Sequence, residues 1–297
     1  MQTTLDCIPC LIRQTLEASR FVSSDTELHK EVMRNILAEA SRMDATQSPP
    51  AFAQQIHRRL KKATGNSDPY AGVKKSFNKL AAEILPEVRG KITDSSNPFE
   101  VALKASIAGN IIDFGINGNL TEDEVREAVD QVIDAPFEGD ATVLQTELLH
   151  AEKILYLADN AGEIVFDRLL LEQLPLERVT LAVRGRPILN DATRKDAEFA
   201  GLDKLVRIID NGSDAPGTIL SDCSDEFLDH FFNADLIISK GQGNFETLSS
   251  CRENIFFLMK VKCPVIASHT GFPLGTHLLQ RNSLAENVKK EALQVVT

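Results

Sequence analysis

Two hydrophobic rhythms divide the chain. Over residues 5–133 apolar side chains recur every three or four positions, as in Leu5, Ile8, Ile12 and Leu16, and again in Val32, Ile36 and Ala40. That spacing lines one face of a 3.6-residue helix, so this half is predicted to be helical. Ser24 with Glu27, and Thr121 with Glu124, have the spacing of capping boxes, in which a hydroxyl and a carboxylate satisfy backbone N–H groups at a helix start. Pro49-Pro50 and the segment from Gly65 to Pro69 mark breaks between helices.

Beyond about residue 150 the pattern changes to short β-rich runs at 154–157, 179–183, 205–209, 236–238, 255–258 and 265–267. Helical lengths separate the first four. Such alternation implies βαβ units and a parallel sheet covered on both faces, because parallel neighbours need a crossover of about a dozen residues. The gap between 258 and 265 is too short for one, so either the sheet ends there in an antiparallel strand or one of the last two runs is not a strand. The predicted fold class is α/β: a helical N-terminal domain over 1–135, then a Rossmann-like three-layer α/β/α domain with a mostly parallel sheet over 136–297. The segments 107–115 and 140–150 fit either part.

Charge narrows the partners. The 297 residues carry a formal net charge of -11, which repels polyanions and argues against nucleic acid or an anionic membrane as a general partner. No run of 18 apolar residues occurs, and Asp6 and Cys7 stand where a signal peptide would have a basic end and an apolar stretch. Five cysteines, an odd number, suit reduced thiols better than a disulfide framework. A cytoplasmic protein is expected.

In open parallel sheets ligands bind beyond the carboxyl ends of the strands, so the residues just after each run are where chemistry is sought. The first run is followed by Asp159-Asn160-Ala161-Gly162-Glu163, and the second by Arg184-Gly185-Arg186 with Asn190-Asp191 beyond it. The third meets Asp210-Asn211-Gly212-Ser213, and the fourth leads into Lys240-Gly241-Gln242-Gly243-Asn244-Phe245-Glu246. Each segment alone reads as turn or capping chemistry; four of them at four strand ends read as a site. Asp159, Asn160 and Asp191 offer the hard oxygens that Mg²⁺ and Mn²⁺ prefer. Lys240 offers a compact positive charge for a phosphate, with glycines that let the backbone approach. A metal and a lysine together suit displacement at phosphorus, with water or a carboxylate as the attacking group.

These motifs, in this order, resemble the damage-control phosphatase family, long catalogued as domain of unknown function 89. The resemblance spans nearly the whole chain and includes Cys7-Ile8-Pro9-Cys10 with Arg13-Gln14, and Gly109-Asn110-Ile111-Ile112-Asp113. Its C-x-x-C looks like the stand-alone prokaryotic branch. The resemblance implies a divalent metal (Mn²⁺, Co²⁺, Ni²⁺ or Mg²⁺) on Asp159, Asn160 and Asp191, with Asp159, Asp191 and Lys240 in the catalytic centre. It also implies a small phosphorylated metabolite, such as a sugar phosphate, as substrate. Besides Lys240, candidates for substrate or phosphate contact are Arg184, Asn110, Asp113 and Asn244.

Two other readings compete. An S-adenosylmethionine-dependent carboxyl methyltransferase would want a glycine-rich loop after the first strand, where this chain has Asp159-Asn160, and Gly241 with Gly243 lacks the third glycine of a dinucleotide fingerprint. A non-catalytic metal- or metabolite-binding protein would use the same pocket without turnover. One C-x-x-C supplies half of a tetrahedral zinc site, and Cys223, Cys251 and Cys263 form no second pair. Cys7 and Cys10, one helical turn apart, are candidates for a redox, metal or packing role.

Overall fold

The protein is described by a computed structural model, in which residues 1–109 and 122–282 are described. In chain order the elements are α1 (Cys7–Val22), α2 (Thr26–Ala40), α3 (Pro49–Thr64), α4 (Ala71–Asp94), α5 (Pro98–Ala108), α6 (Glu122–Asp134) and α7 (Ala141–His150). The sheet half follows with β1 (Ile154–Leu157), α8 (Glu163–Leu171), β2 (Val179–Val183), α9 (Arg194–Phe199), β3 (Arg207–Asp210) and α10 (Asp225–Phe232). It ends with β4 (Leu236–Lys240), α11 (Gln242–Leu248), β5 (Ile255–Lys260), α12 (Pro264–Thr270) and β6 (His277–Arg281).

The sheet order is β3-β2-β1-β4-β5-β6. All neighbours are parallel except β5 with β6, which run antiparallel. The α/β class and the mostly parallel sheet are as predicted. Because β1 pairs with β2 on one side and β4 on the other, the chain reverses its direction of travel across the sheet there. The crevice beyond the carboxyl ends of β1 and β4 is therefore the topological switch point, where such sheets bind ligands.

The alternatives left open at the end of the sheet resolve, and one helix cap shifts. The run 265–267 lies inside α12, where Pro264 opens the helix and Gly271, at φ 79°, ends it; a short β-branched run carries no period of its own to separate helix from strand. The antiparallel strand is β6, not that run. At α2 the cap is Asp25, whose carboxylate accepts from the N–H groups of Glu27 and Leu28, and not Ser24. The proposed cap at Thr121 lies outside the described residues.

Side-chain parity builds the core. Ile154, Tyr156, Leu181, Val183, Leu236 and Ile238 face one side of the sheet, packed with Phe77, Ala81 and Ile84 of α4, Leu103 and Ile107 of α5, and Ile164 and Phe166 of α8. Leu155, Leu157, Ala182, Ile237 and Phe257 face the other side, with Phe227 and Phe231 of α10, Phe245 of α11 and Ile266 of α12. A separate cluster joins α1, α2 and α3 through Leu11, Ile36, Phe52, Ile56 and Leu60. The first cluster crosses residue 135: α4 and α5 serve as part of the sheet's own cover. Among the described residues no helix is long and apolar enough to cross a membrane.

His57 of α3 is buried, with the ring of Tyr70 at 6.0 Å edge-on. Burial, with help from the Lys61 charge, pushes its pKa down to about 4. A base whose folded pKa lies below its unfolded value of about 6.5 makes the unfolded state bind more protons, so stability falls as pH drops below 6.5 and goes on falling to about 4. The loss from this residue should reach about 1 kcal/mol by pH 5.5 relative to pH 7.5. Urea unfolding at both pH values checks it: His57→Phe should show a smaller difference than the parent chain, and equal differences would exclude this histidine as the source.

Candidate functional site at the switch point

Parity along each strand decides which way each predicted residue points. Asp159 follows Leu155 and Leu157 in alternation, so it lies on the α11 side of the sheet. There the backbone of Gly241, at φ 81°, comes so close that a Cβ would overlap the Asp159 carboxylate; glycine is required at that position by both space and conformation. Arg184 follows Thr180 and Ala182 in the same way and reaches the same side.

Arg184 is the hub of this side. Its Nε donates to Asp191 Oδ2 at 2.7 Å, Nη1 to Thr218 Oγ1 at 3.3 Å and Nη2 to Asn244 Oδ1 at 3.1 Å, while Asp159 Oδ1 lies 3.7 Å from Nη2. Asn244 is held in turn by Thr218 and donates to the carbonyl oxygens of Lys240 and Ala158. The segment carrying Asn190-Asp191 folds back over the end of β1, with a bridge between Asn160 and Asp191 and backbone bonds from Ala161 to Asn190 and from Ala192 to Asp159. Leu189, at φ 44°, is the sole non-glycine residue with positive φ among the described residues. Such backbone persists where its surroundings over-determine it, and here it aims the next two residues at the site.

Lys240 points the other way. It shares a face with Leu236 and Ile238, so its side chain enters the core under α5 and α8 and is fully buried. Nζ donates to Ser106 O at 2.9 Å, Glu163 Oε1 at 2.7 Å and Asp167 Oδ1 at 2.6 Å. Glu163 Oε2 accepts from Asn160 Nδ2 at 3.1 Å, and Asp167 Oδ1 accepts from the Tyr156 hydroxyl at 2.8 Å. Burial alone would lower the lysine pKa, but the two carboxylates outweigh it and hold the ammonium charged. Burial raises the Asp167 carboxyl to about 6 against the pull of Lys240.

The geometry therefore separates the two cations expected to meet phosphate. A lysine ammonium has three N–H groups, and all three of Lys240 are taken. A guanidinium has five, and Arg184 uses three in hydrogen bonds among the described residues, which leaves two N–H groups outside these bonds, beside the Asp159 carboxylate.

Four carboxylates, Asp159, Glu163, Asp167 and Asp191, are gathered with two buried cations, Arg184 and Lys240. The formal surplus is two negative charges in a place with little water. Burial first, then the charges of Glu163 and Asp191, push the Asp159 carboxyl well above the usual range, although Arg184 and the exposed Lys262 oppose the shift. A divalent cation would relieve that surplus, and the oxygens of Asp159, Asn160 and Asp191 are the donor type that hard cations take. No three His, Cys, Asp or Glu side chains converge on such a position among the described residues; the amide of Asn160 would be the third donor.

Asp159, Asn160, Asp191, Arg184 and Asn244 are thus brought into one neighbourhood, with Lys240 beneath it. Asn110 and Asp113 lie outside the described residues. Cys7 and Cys10 sit in the first turn of α1 as free, half-buried thiols, with Cys7 beside Thr4 and Cys10 beside Arg13 and Gln14. Sequence reasoning assigned no role to Glu163, Asp167, Tyr156 or Thr218. One signal was available: Glu163 and Asp167 are four apart in a helix whose other positions, apart from Arg168, are apolar, so two acids share one buried stripe.

Comparison with known proteins bears on the family and the fold. The damage-control phosphatase ARMT1-like domain matches residues 3–278. A protein of Pyrococcus horikoshii named damage-control phosphatase PH1575 is 34% identical over 290 residues, covering 95% of this chain and 99% of its own. A damage-control phosphatase of Archaeoglobus fulgidus is 34% identical over 275 residues, covering 91% and 95%. The crystal structure of the P. horikoshii protein, described as a DUF89 family member, superposes with a TM-score of 0.88 at 32% identity, covering 95% of this chain and 100% of that one. With a matching domain over most of its length and relatives aligned nearly end to end, this chain belongs to the damage-control phosphatase ARMT1-like family.

Proposed function

We propose that this protein is a divalent-metal-dependent phosphatase that hydrolyses phosphomonoesters of small metabolites. The observation that carries the reading is the buried surplus of carboxylate charge at the switch point of the sheet, with an arginine that still has donors beside it. Asp159, Asn160 and Asp191 would hold the metal, Mn²⁺, Co²⁺, Ni²⁺ or Mg²⁺, whose chemistry when bound is to offset charge on phosphoryl oxygens and to orient them. Arg184 binds the phosphate through its remaining N–H groups. Asp159 Oδ1, the oxygen not bonded to Asn160 and 3.7 Å from Arg184 Nη2, would accept the proton of an attacking water. Lys240 acts from below, holding Glu163 and Asp167 in place through its ammonium. The names of the archaeal relatives support the reaction class. The net charge of -11 supports small anions over polyanions as substrates, and the free cysteines support a cytoplasmic setting.

Purified protein stripped with a chelator should release no phosphate from a panel of sugar phosphates and an aryl phosphate. Adding back Mn²⁺, Co²⁺, Ni²⁺ or Mg²⁺ should restore release. Full activity after complete metal removal would overturn the metal requirement, and methyl transfer from S-adenosylmethionine without phosphate release on the same preparation would overturn the reaction class.

A further inference from the structure

The metal reading leaves one question that geometry answers: what keeps the side chain of Asn160 the right way round. An amide can present either its oxygen or its nitrogen, and only the oxygen is a ligand for a hard cation. Asn160 Nδ2 lies 2.9 Å from Asp159 Oδ2 and 3.1 Å from Glu163 Oε2. Two carboxylate oxygens, both acceptors, stand within hydrogen-bond reach of the same end of the amide, so that end is the NH₂, and both of its hydrogens are used there. The amide orientation is thus dictated by its neighbours.

Glu163 is itself fixed. It is fully buried as the first residue of α8, where the helix N-terminus favours a negative side chain. Its other oxygen takes a hydrogen from Lys240, and Lys240 is anchored to Asp167 and Ser106 O. The end of α5 closes over it so tightly that a Cβ on Gly109 would meet the Glu163 backbone at 2.7 Å. An acid so confined has no route to substrate, but it holds the Asn160 amide directly.

We propose that Glu163 is the positioning residue of the metal site: backed by Lys240 and Asp167, it locks the Asn160 amide so that its oxygen remains the coordinating atom. The inference rests on the metal-dependent reading above. Glu163→Gln keeps the size of the side chain and an acceptor for Lys240. Its new NH₂ then faces the NH₂ of Asn160, and the mismatch turns the Asn160 amide over.

The test is calorimetric titration with Co²⁺ alone on the full chain, for the parent, Glu163→Gln, Asn160→Ala and the double variant. Outer-shell partners of metal ligands are typically worth about 10- to 100-fold in affinity. Glu163→Gln should therefore weaken Co²⁺ binding about 10- to 100-fold in the parent background and change it less than about threefold when Asn160 is already alanine, as coupling through a shared partner requires. An equal loss in both backgrounds would show a general structural role and overturn the proposal, as would unchanged affinity. If Glu163→Gln does not fold, Glu163→Gln with Lys240→Met and Asp167→Asn, which leaves no unpaired charge in the core, takes its place in the same cycle. A parent chain that binds no Co²⁺, Mn²⁺, Ni²⁺ or Mg²⁺ would sink the metal reading and this proposal with it. A parent that binds while Glu163→Gln binds equally well would sink this proposal alone.

Discussion

Asp191→Asn should lower metal-supported phosphate release by about 10²- to 10³-fold, the usual scale for removing one charge-stabilising group from an active site. The substitution is nearly isosteric, so the backbone of the loop that folds over β1 has no steric reason to move. What changes is charge. Asp191 is buried, paired with Arg184 at 2.7 Å, and one of the two groups whose charge raises the Asp159 carboxyl after burial itself. Neutralising it exchanges an anionic oxygen donor for a weaker neutral one and removes half of the negative surplus that favours a divalent ion. Turnover and metal content should therefore fall together, and the stabilisation against heating that added Mn²⁺ confers on the parent should shrink with them. Turnover within about threefold of the parent at saturating metal, against the scale above, would remove Asp191 from the site.

Lys240→Ala should destabilise the fold by about 3–5 kcal/mol, the range for breaking a buried ion pair by removing one partner. The ammonium sits among Glu163, Asp167 and Ser106 O with no exposed surface. Its removal leaves two carboxylates in the core with no cation between them, and one oxygen of Asp167 already lacks a partner among the described residues. Replacing the ion cluster as a unit, Lys240→Met with Glu163→Gln and Asp167→Asn, should recover most of the stability, because a buried pair exchanged for neutral groups is often neutral or stabilising. Urea unfolding of the three proteins decides between two roles. A lysine that contacts phosphate from the pocket would show lost turnover with parental stability; a lysine in the core shows lost stability first, and the neutral replacement restores the fold without restoring metal-supported turnover.

That contrast explains where sequence reasoning about Lys240 stopped. The residue was read as the start of a glycine loop, since Gly241 and Gly243 follow it. It is the last residue of β4, and alternation along Leu236, Ile238 and Lys240 puts all three on the α5–α8 face. Ending the strand two residues early leaves it intact but takes Lys240 out of the alternation that decides which face its side chain enters. Asp159 and Arg184 lie just beyond β1 and β2 and continue the alternation of Leu155 and Leu157 and of Thr180 and Ala182, so both reach the α11 side.

The helical first half, the βαβ order and the parallel sheet were determined by the chain's own periodicities, 3.6 and 2, which survive any packing because they express which face of each element is apolar. The polar segments after β1, β2 and β4 were legible for a related reason: in an open parallel sheet a polar segment at a strand's carboxyl end has a predictable address. The rest needed the tertiary structure. No local pattern shows that α4 and α5 cover the sheet, that α12 replaces an expected strand, or that β6 returns antiparallel from a segment with no strong period. Nor can spacing show that Glu163 joins Asn160 to Lys240 across a separation of 77 residues in sequence. Such contacts are decided by which faces meet when the elements pack, and a buried charge is placed by the partners it finds there, not by its neighbours along the chain.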